Sequence, residues 1–315
     1  MTRIRMGISA CLLGEQVRYD GQHKLDPFLR DTLGRFVEWV PFCPEVACGL
    51  PVPRESMHLE RQADGAVRLV TTRTRRDVTG QMQAWIEHAV PQLAALDLRG
   101  FVFKSRSPSS GMRGVKIYNA KGMPDGSGAG LFAAAVMARY PLLPVEDEGR
   151  LHDPALRENF IGRVFVLDRW RACETEGTLA ALVGFHTRHK LTLMSHSPAR
   201  LRELGRIVAA AKGHPPQAVR ADYLARLMPT LALLATPAKQ TNVLQHAMGY
   251  FKERLGAAEK ADLLALIDAY RLGQVPLIAP VAVLRHLVAR FDEPYLRAQV
   301  YLDPAPAELM LLNHV

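Results

Sequence analysis

The change of hydrophobic periodicity near residue 150 constrains the fold of this chain more than any other feature. Beyond Asp153, apolar residues recur at three- and four-residue spacing with few β-branched runs in seven successive segments, 154–170, 179–194, 198–211, 219–234, 239–255, 257–272 and 281–290. Pro and Gly punctuate them at His214-Pro215-Pro216, at Thr236-Pro237 and between Gly273 and Pro280. An all-α bundle is expected over residues 151–315.

Residues 1–150 alternate instead. Short apolar strands are expected over 4–10, 36–42 and 100–104, with helical stretches over 25–38 and 82–96, the latter carrying Trp85, Ile86, Ala89, Val90 and Leu93 at helical spacing. This order predicts an α/β domain with a Rossmann-like open parallel sheet, in which sites are built at the carboxyl ends of the strands. Three polar segments would then meet at one sheet edge: the loop at Cys11, the turn at Cys43 and the loop around Ser107. The run Gly126-Ser127-Gly128-Ala129-Gly130 opens an apolar helix. It matches neither the Walker nor the dinucleotide spacing, so a flexible helix start is favoured over a phosphate site. Residues 141–149, with Glu146-Asp147-Glu148, are expected to connect the two domains.

Four cysteines among 315 residues are too few for a disulfide scaffold. No run of eighteen apolar residues occurs, and Met-Thr-Arg-Ile-Arg-Met lacks a secretory apolar stretch, so a cytoplasmic protein without a membrane span is expected. The net charge of +9 favours a polyanionic partner. It is spread over both halves: residues 1–150 hold 20 Lys+Arg against 16 Asp+Glu, a net of +4, and the remainder holds +5.

Cys11 and Cys43 each follow a predicted strand and precede a Gly- or Pro-rich turn, where thiolates can face a cavity and suit iron–sulfur chemistry. Buried cysteine is the commoner use of the residue, and it is the reading for Cys173, which follows Trp170 in a helical pattern. In the helical half, His186, Arg188, His189 and Lys190 read as a basic helix face, with a His pair for metal the weaker alternative because no acidic motif accompanies it. Lys239, Gln240, Asn242, Gln245, His246, Tyr250, Lys252 and Arg254 read as a second polar and basic face, suited to RNA although a solvated face is the usual origin of such a pattern.

Together, Ser9-Ala10-Cys11-Leu12-Leu13-Gly14, Arg18-Tyr19-Asp20-Gly21, Cys43-Pro44-Glu45, Pro53-Arg54 and Lys104-Ser105-Arg106-Ser107-Pro108-Ser109-Ser110-Gly111 resemble the thiouracil desulfidase family. The helical half resembles a domain often fused to it, in proteins that remove sulfur from 4-thiouridine in tRNA. The resemblance implies a 4Fe-4S cluster held by three cysteines, two of them at Cys11 and Cys43, with Ser110 standing where the third is expected. Loss of activity, a substituted cysteine and takeover by Cys48 are the three explanations, and the reading leans to Cys48. The resemblance further implies Glu45 as general acid/base and Ser107 as the group that positions the base or proton. Arg18, Tyr19 and Asp20 would contact the base or its phosphate, Lys104 and Arg106 would neutralise a phosphate, and Arg54 would either hold the loop through a carboxylate or touch substrate. Arg188, Lys190, Lys239, Lys252 and Arg254 would grip the tRNA. A non-catalytic RNA-binding or thionucleotide-sensing protein, derived from the enzyme and disabled at Ser110, is the alternative.

Overall fold

Ile-Arg-Met-Gly-Ile-Ser, the strand β1 (Ile4–Ser9), is buried along almost its whole length, as a central parallel strand covered on both faces must be. In the computed structural model, which describes residues 3–314, β1 pairs in parallel with β2 (Val37–Phe42). The one-turn helix α1 (Pro44–Ala47) follows β2. Next come the hairpin β3 (Met57–Arg61) and β4 (Val67–Thr71), the helix α2 (Thr79–Gln92) and the strand β5 (Phe101–Phe103). Two further strands, β6 (Val115–Tyr118) and β7 (Pro124–Gly128), lead to α3 (Leu131–Arg139) and β8 (Val145–Asp147).

The main sheet has the order β2-β1-β5-β8, and every pairing in it is parallel. This is the α/β architecture expected from the alternation. Phe101 and Phe103 are fully buried, stack at 4.3 Å between ring centroids, and meet Phe132 of α3 at 5.8 and 6.2 Å. Gly7 makes the close approach of β1 to β5 achievable, since a Cβ there would lie 2.2 Å from the Phe101 ring. Met82 and Ile86 of α2 pack into the same apolar cluster.

Several expectations are corrected. Residues 25–38 form no regular α-helix; the chain passes through a π-type turn (Phe28–Thr32), at whose start Asp26 Oδ1 accepts the Leu29 N–H at 3.0 Å, and a 3-10 turn (Leu33–Arg35), with Leu29 and Leu33 buried. The segment 141–149 contains β8, the fourth strand, whose buried Glu146 accepts a hydrogen bond from Arg150 at 2.7 Å. A charged run concealed that strand. A second sheet, of order β4-β3-β6-β7, has no counterpart in the expectations, and Gly126–Gly128 belong to its exposed strand β7, not to a flexible helix start.

The chain divides after Asp153 into two compact units. The second is helical: α4 (Pro154–Glu176), α5 (Leu179–His196), α6 (Pro198–Ala209), α7 (Pro216–Leu231), α8 (Pro237–Met248), α9 (Ala257–Arg271), α10 (Ile278–Phe291) and the short α11 (Pro294–Arg297). Its helix starts are written in the sequence. Thr178, Ser197 and Thr236 each accept a backbone N–H three residues on, and α6 and α8 begin with Pro, whose missing N–H costs nothing in a first turn. Trp170 stacks on Tyr223 at 5.2 Å and Phe185 closes on both, which makes a fully buried aromatic core between α4, α5 and α7. Cys173 is buried, as expected of filler. Among the described residues, no helix is long and apolar enough to cross a membrane.

Candidate functional site

Three strand ends of the main sheet build one cavity. After β1 the chain tightens into a 3-10 turn (Ala10–Leu13) that carries Cys11, after β2 Cys43 caps α1, and after β5 the chain enters the serine loop. Cys11, Cys43, Glu45, Lys104, Ser107 and Ser110 all line a cavity of about 350 Å³, together with Arg18, Tyr19, Arg54, Arg106 and Ser109.

The serine loop is held by its own backbone and by α3. Ser107 Oγ accepts the N–H of Ser110 at 3.1 Å and of Ser109 at 3.3 Å, and Gly111 N–H closes the turn on Ser107 O at 2.7 Å. The first N–H groups of α3 point back into the loop: Leu131 donates to Pro108 O at 3.2 Å, while Phe132 and Ala133 donate to Ser109 O at 2.9 and 3.2 Å. Gly130 allows this contact, because a Cβ there would sit 2.5 Å from the Ser109 carbonyl carbon. The helix start therefore binds the loop, and no orphan donors remain there for a phosphate.

Glu45 is fixed from two sides. Arg54 donates Nε and Nη2 to Glu45 Oε2, the Nε bond being 2.9 Å, and reaches Val17 O with Nη1 at 3.0 Å. Ser109 Oγ donates to Glu45 Oε1 at 2.8 Å and lies 3.0 Å from Ser107 Oγ. Arg54 thus takes the loop-holding role. Ser109, which the sequence reading passed over, is the serine that touches the carboxylate; Ser107 reaches it only through Ser109. A second carboxylate also went unread. Glu148, just past β8, accepts the Lys104 ammonium, Ser105 N–H at 2.7 Å and Ser105 Oγ at 2.6 Å. Burial raises the Glu148 carboxyl, but these hydrogen bonds outweigh it and hold the group below its ordinary value.

Burial pushes the Cys11 thiol up to about 11, against the pull of the Lys104 and Arg18 cations, and burial likewise raises Cys43. Cys48 stands elsewhere. It is outside the cavity lining, packs against the apolar cluster under α2, and points its thiol at Glu45 O at 3.2 Å. One turn of helix separates it from Cys43 and turns it to the other side, so takeover by Cys48 is corrected. No group of three His, Cys, Asp or Glu is placed to hold a metal among the described residues; Cys11, Cys43 and the Ser110 hydroxyl, on a residue 4% exposed, line the same cavity. Two thiols and one hydroxyl on one cavity fit an iron–sulfur cluster held by two thiolates and an oxygen. Oxygen is a harder and weaker donor to iron than a third thiolate.

The remaining expected substrate contacts divide. Arg106, with φ of 58°, and Tyr19, 43% exposed, stand at the rim of the cavity. Asp20 does not line it: its carboxylate holds Arg18 at 3.3 Å and caps the Gln22 N–H at 3.1 Å, which makes it a turn residue.

In the helical unit, His186 and His189 are buried and belong to no basic face. His186 Nδ1 lies 3.0 Å from the Tyr223 hydroxyl and His189 Nδ1 lies 2.7 Å from Phe185 O. Burial pulls them down to about 4 and about 3, so both are neutral at pH 7. Gln240 is also buried, accepting the Tyr301 hydroxyl at 2.8 Å. Arg188 is exposed and Lys190 half-buried, whereas Lys239 donates to Leu234 O, Lys252 lies near Glu253, and Arg254 pairs with Glu293 and donates to Phe291 O.

Comparison with known proteins follows the same division of the chain. Residues 6–148 match the family described as 2-thiouracil desulfurase, and residues 190–306 match a protein family of unknown function, DUF1722. The uncharacterized protein YbgA of Escherichia coli (strain K12) is 35% identical over 153 residues, which is 47% of this chain and 89% of YbgA. A solved structure of the 4Fe-4S-dependent thiouracil desulfidase TudS is 35% identical, with 48% of this chain and 95% of that chain covered at a TM-score of 0.39. The chain thus joins a thiouracil desulfurase family domain to a DUF1722 domain and belongs to the same family as YbgA.

Proposed function

We propose that this protein is a desulfidase that removes sulfur from 4-thiouridine in tRNA, exchanging a thiocarbonyl for a carbonyl and releasing sulfide. The observation that carries the reading is the cavity at the strand ends, which gathers Cys11, Cys43, Glu45, Lys104 and the serine loop. Cys11 and Cys43, with the Ser110 hydroxyl, would hold a 4Fe-4S cluster. That cluster supplies Lewis acidity toward the thiocarbonyl sulfur.

The chain's own residues supply the proton chemistry. Glu45 takes a proton from the attacking water as an oxygen adds to carbon 4 and returns it as the carbon–sulfur bond breaks, so that water and thiocarbonyl give carbonyl and hydrogen sulfide. The Arg54 clamp on Oε2 and the Ser109 hydroxyl on Oε1 fix the carboxylate's orientation for both transfers. Lys104, anchored on Glu148, sets a positive charge beside Cys11 where anionic sulfur gathers. Arg106 and Tyr19 at the rim meet the nucleotide's phosphate and base.

Ser110 gives weight to a second reading, a protein that binds thiolated RNA without turnover. The test is anaerobic incubation with tRNA containing 4-thiouridine, with sulfide release and loss of the thiocarbonyl absorbance followed together. Sulfide release matched by loss of the thiocarbonyl in the chain itself supports the enzyme. Binding without release by the chain, with release restored in its Ser110→Cys variant, supports the second reading.

A further inference from the structure

The helical unit holds a cavity of its own, of about 300 Å³, which the desulfidase chemistry does not use. Its walls come from the first half of α4, the last turn of α5, the passage from α7 into α8 and the C-terminal segment. Helical spacing explains two of them. Asn159, Gly162 and Val166 stand three and four residues apart on one face of α4, and Thr192, Ser195 and His196 share a face of α5 in the same way. The C-terminal segment closes over these faces and is tied at three points. Arg169 Nη2 donates to Pro304 O at 2.7 Å, the Ile278 N–H to Leu312 O at 3.0 Å, and His314 Nε2 lies 2.7 Å from Glu158 Oε2.

Gly162 is the first sign that this space takes an occupant. Glycine is the poorest helix former after proline, yet α4 carries it at an interior position where a Cβ would meet no heavy atom within 4 Å. No close neighbour calls for a glycine there; a larger side chain would only fill the cavity. The second sign is polar. Val166, Leu231, Leu277 and Leu311 give the cavity an apolar body. Among the described residues, three polar side chains on its wall keep bonding capacity that nothing takes up. Gln240 is buried and accepts the Tyr301 hydroxyl on Oε1 at 2.8 Å, which leaves its Nε2 donors unused. Asn159 commits Nδ2 to Leu231 O at 2.8 Å, which leaves Oδ1 unused. His196 donates Nδ1 to Leu233 O, so its neutral ring keeps a lone pair on Nε2. Thr192 adds a buried hydroxyl with no hydrogen-bond partner among the described residues. The charged residues of the lining, Glu158 and Arg163, are of opposite sign.

We propose that this cavity binds a small uncharged heterocycle with an apolar body and a cyclic amide or imide edge, whose carbonyl accepts from Gln240 and whose ring N–H donates to the acceptors on Asn159 and His196. A pocket of this size with an apolar lining and a few fixed polar groups is the ordinary form of a small-molecule site. An aliphatic chain alone fits less well, because it would desolvate those donors and acceptors without pairing them. A carboxylate or an amine fits less well too, since the opposed signs of Glu158 and Arg163 give a charged ligand no net partner. The inference is independent of the desulfidase reading, which concerns the other unit.

The test titrates the full chain with 6-propyluracil, an imide edge on an apolar tail, and follows heat of binding and thermal unfolding. Tm is expected to rise with the logarithm of probe concentration. The 1,3-dimethyl derivative, whose ring N–H groups are blocked, is expected to bind at least about tenfold more weakly through the loss of a buried hydrogen bond. Gly162→Leu and Ala235→Leu fill the cavity from α4 and from the passage between α7 and α8. Both are expected to keep the helical circular dichroism and to lose the titration; if Gly162→Leu fails to fold, Ala235→Leu carries the test. Binding that persists in the folded variants, as it would if the probe sat in the strand-end cavity of the other unit, overturns the inference. Equal affinity for the two uracils, preference for octanoate or octylamine, or no binding of any probe overturns it as well.

Discussion

Replacing Ser109 by alanine removes one hydroxyl from the site and leaves the loop's backbone bonds in place. That hydroxyl is 2.8 Å from Glu45 Oε1, on a residue 1% exposed, and it donates to a carboxylate. A hydrogen bond to a charged group contributes about 1.5–3 kcal/mol, so if it orients Glu45 in the transition state its loss lowers kcat by about 10- to 100-fold. Ser107→Ala acts differently. It strips the acceptor from the N–H groups of Ser109 and Ser110, a cost of about 1–3 kcal/mol for a buried donor, and lowers Tm by about 2–4 °C per kcal/mol. The assay is sulfide release under anaerobic conditions together with thermal unfolding, run in the Ser110→Cys background to give the cluster its full thiolate set. Ser109→Ala is expected to lose turnover and Tm together, while Ser107→Ala loses Tm first. Full turnover in Ser109→Ala would refute the assignment of the Glu45 contact to Ser109.

Three further outcomes follow from the packing and the charges. Gly130→Ala drives a Cβ to 2.5 Å from the Ser109 carbonyl carbon, so it should cost about 1–3 kcal/mol by overpacking and disorder the serine loop, seen as a joint loss of Tm and sulfide release. Glu148 is held below its ordinary value, so the stability it contributes is present above about pH 4.3 and is lost as pH falls through its folded value. Glu148→Gln should flatten that part of the urea-midpoint profile, and an unaltered profile would show that Lys104 is held by other means. His186 and His189 sit at about 4 and about 3 in the fold but near 6.5 when unfolded, so the unfolded chain binds more protons between those values and stability falls as pH drops from about 6.5 toward 4. His189→Leu should reduce that fall, read from Trp170 fluorescence, because Trp170 lies against Phe185 on which His189 stacks.

The strands that carry the site were legible because each is a short buried apolar run, Ile4–Ser9 and Phe101–Phe103 most clearly. The helical half was legible from periodicity and from caps such as Ser197-Pro198. Strand β8 was not, because Glu146 and Asp147 read as a solvated acidic run, whereas Arg150 holds their carboxylates locally and the strand itself is made by parallel pairing with the distant β5. The second sheet escaped because β7 is exposed, polar and glycine-rich. At the site, Cys11 and Cys43 stood out by their place after predicted strands and Glu45 through the family resemblance, whereas Ser109 and Glu148 act through partners 64 and 43 or more residues away in sequence. Cys48 misled because proximity in sequence is not orientation: one helical turn takes its thiol to the apolar side.

Anaerobic reconstitution followed by iron and sulfide quantification tests the central claim, that Cys11, Cys43 and the Ser110 position form one cluster site. It is made on this chain, Ser110→Cys, Cys11→Ser and Cys48→Ser. The account predicts about four irons in Ser110→Cys, a cluster that this chain yields more readily to a chelator, none retained in Cys11→Ser, and no difference between Cys48→Ser and the parent. Failure of Ser110→Cys to take up iron, or loss of iron in Cys48→Ser, would contradict it.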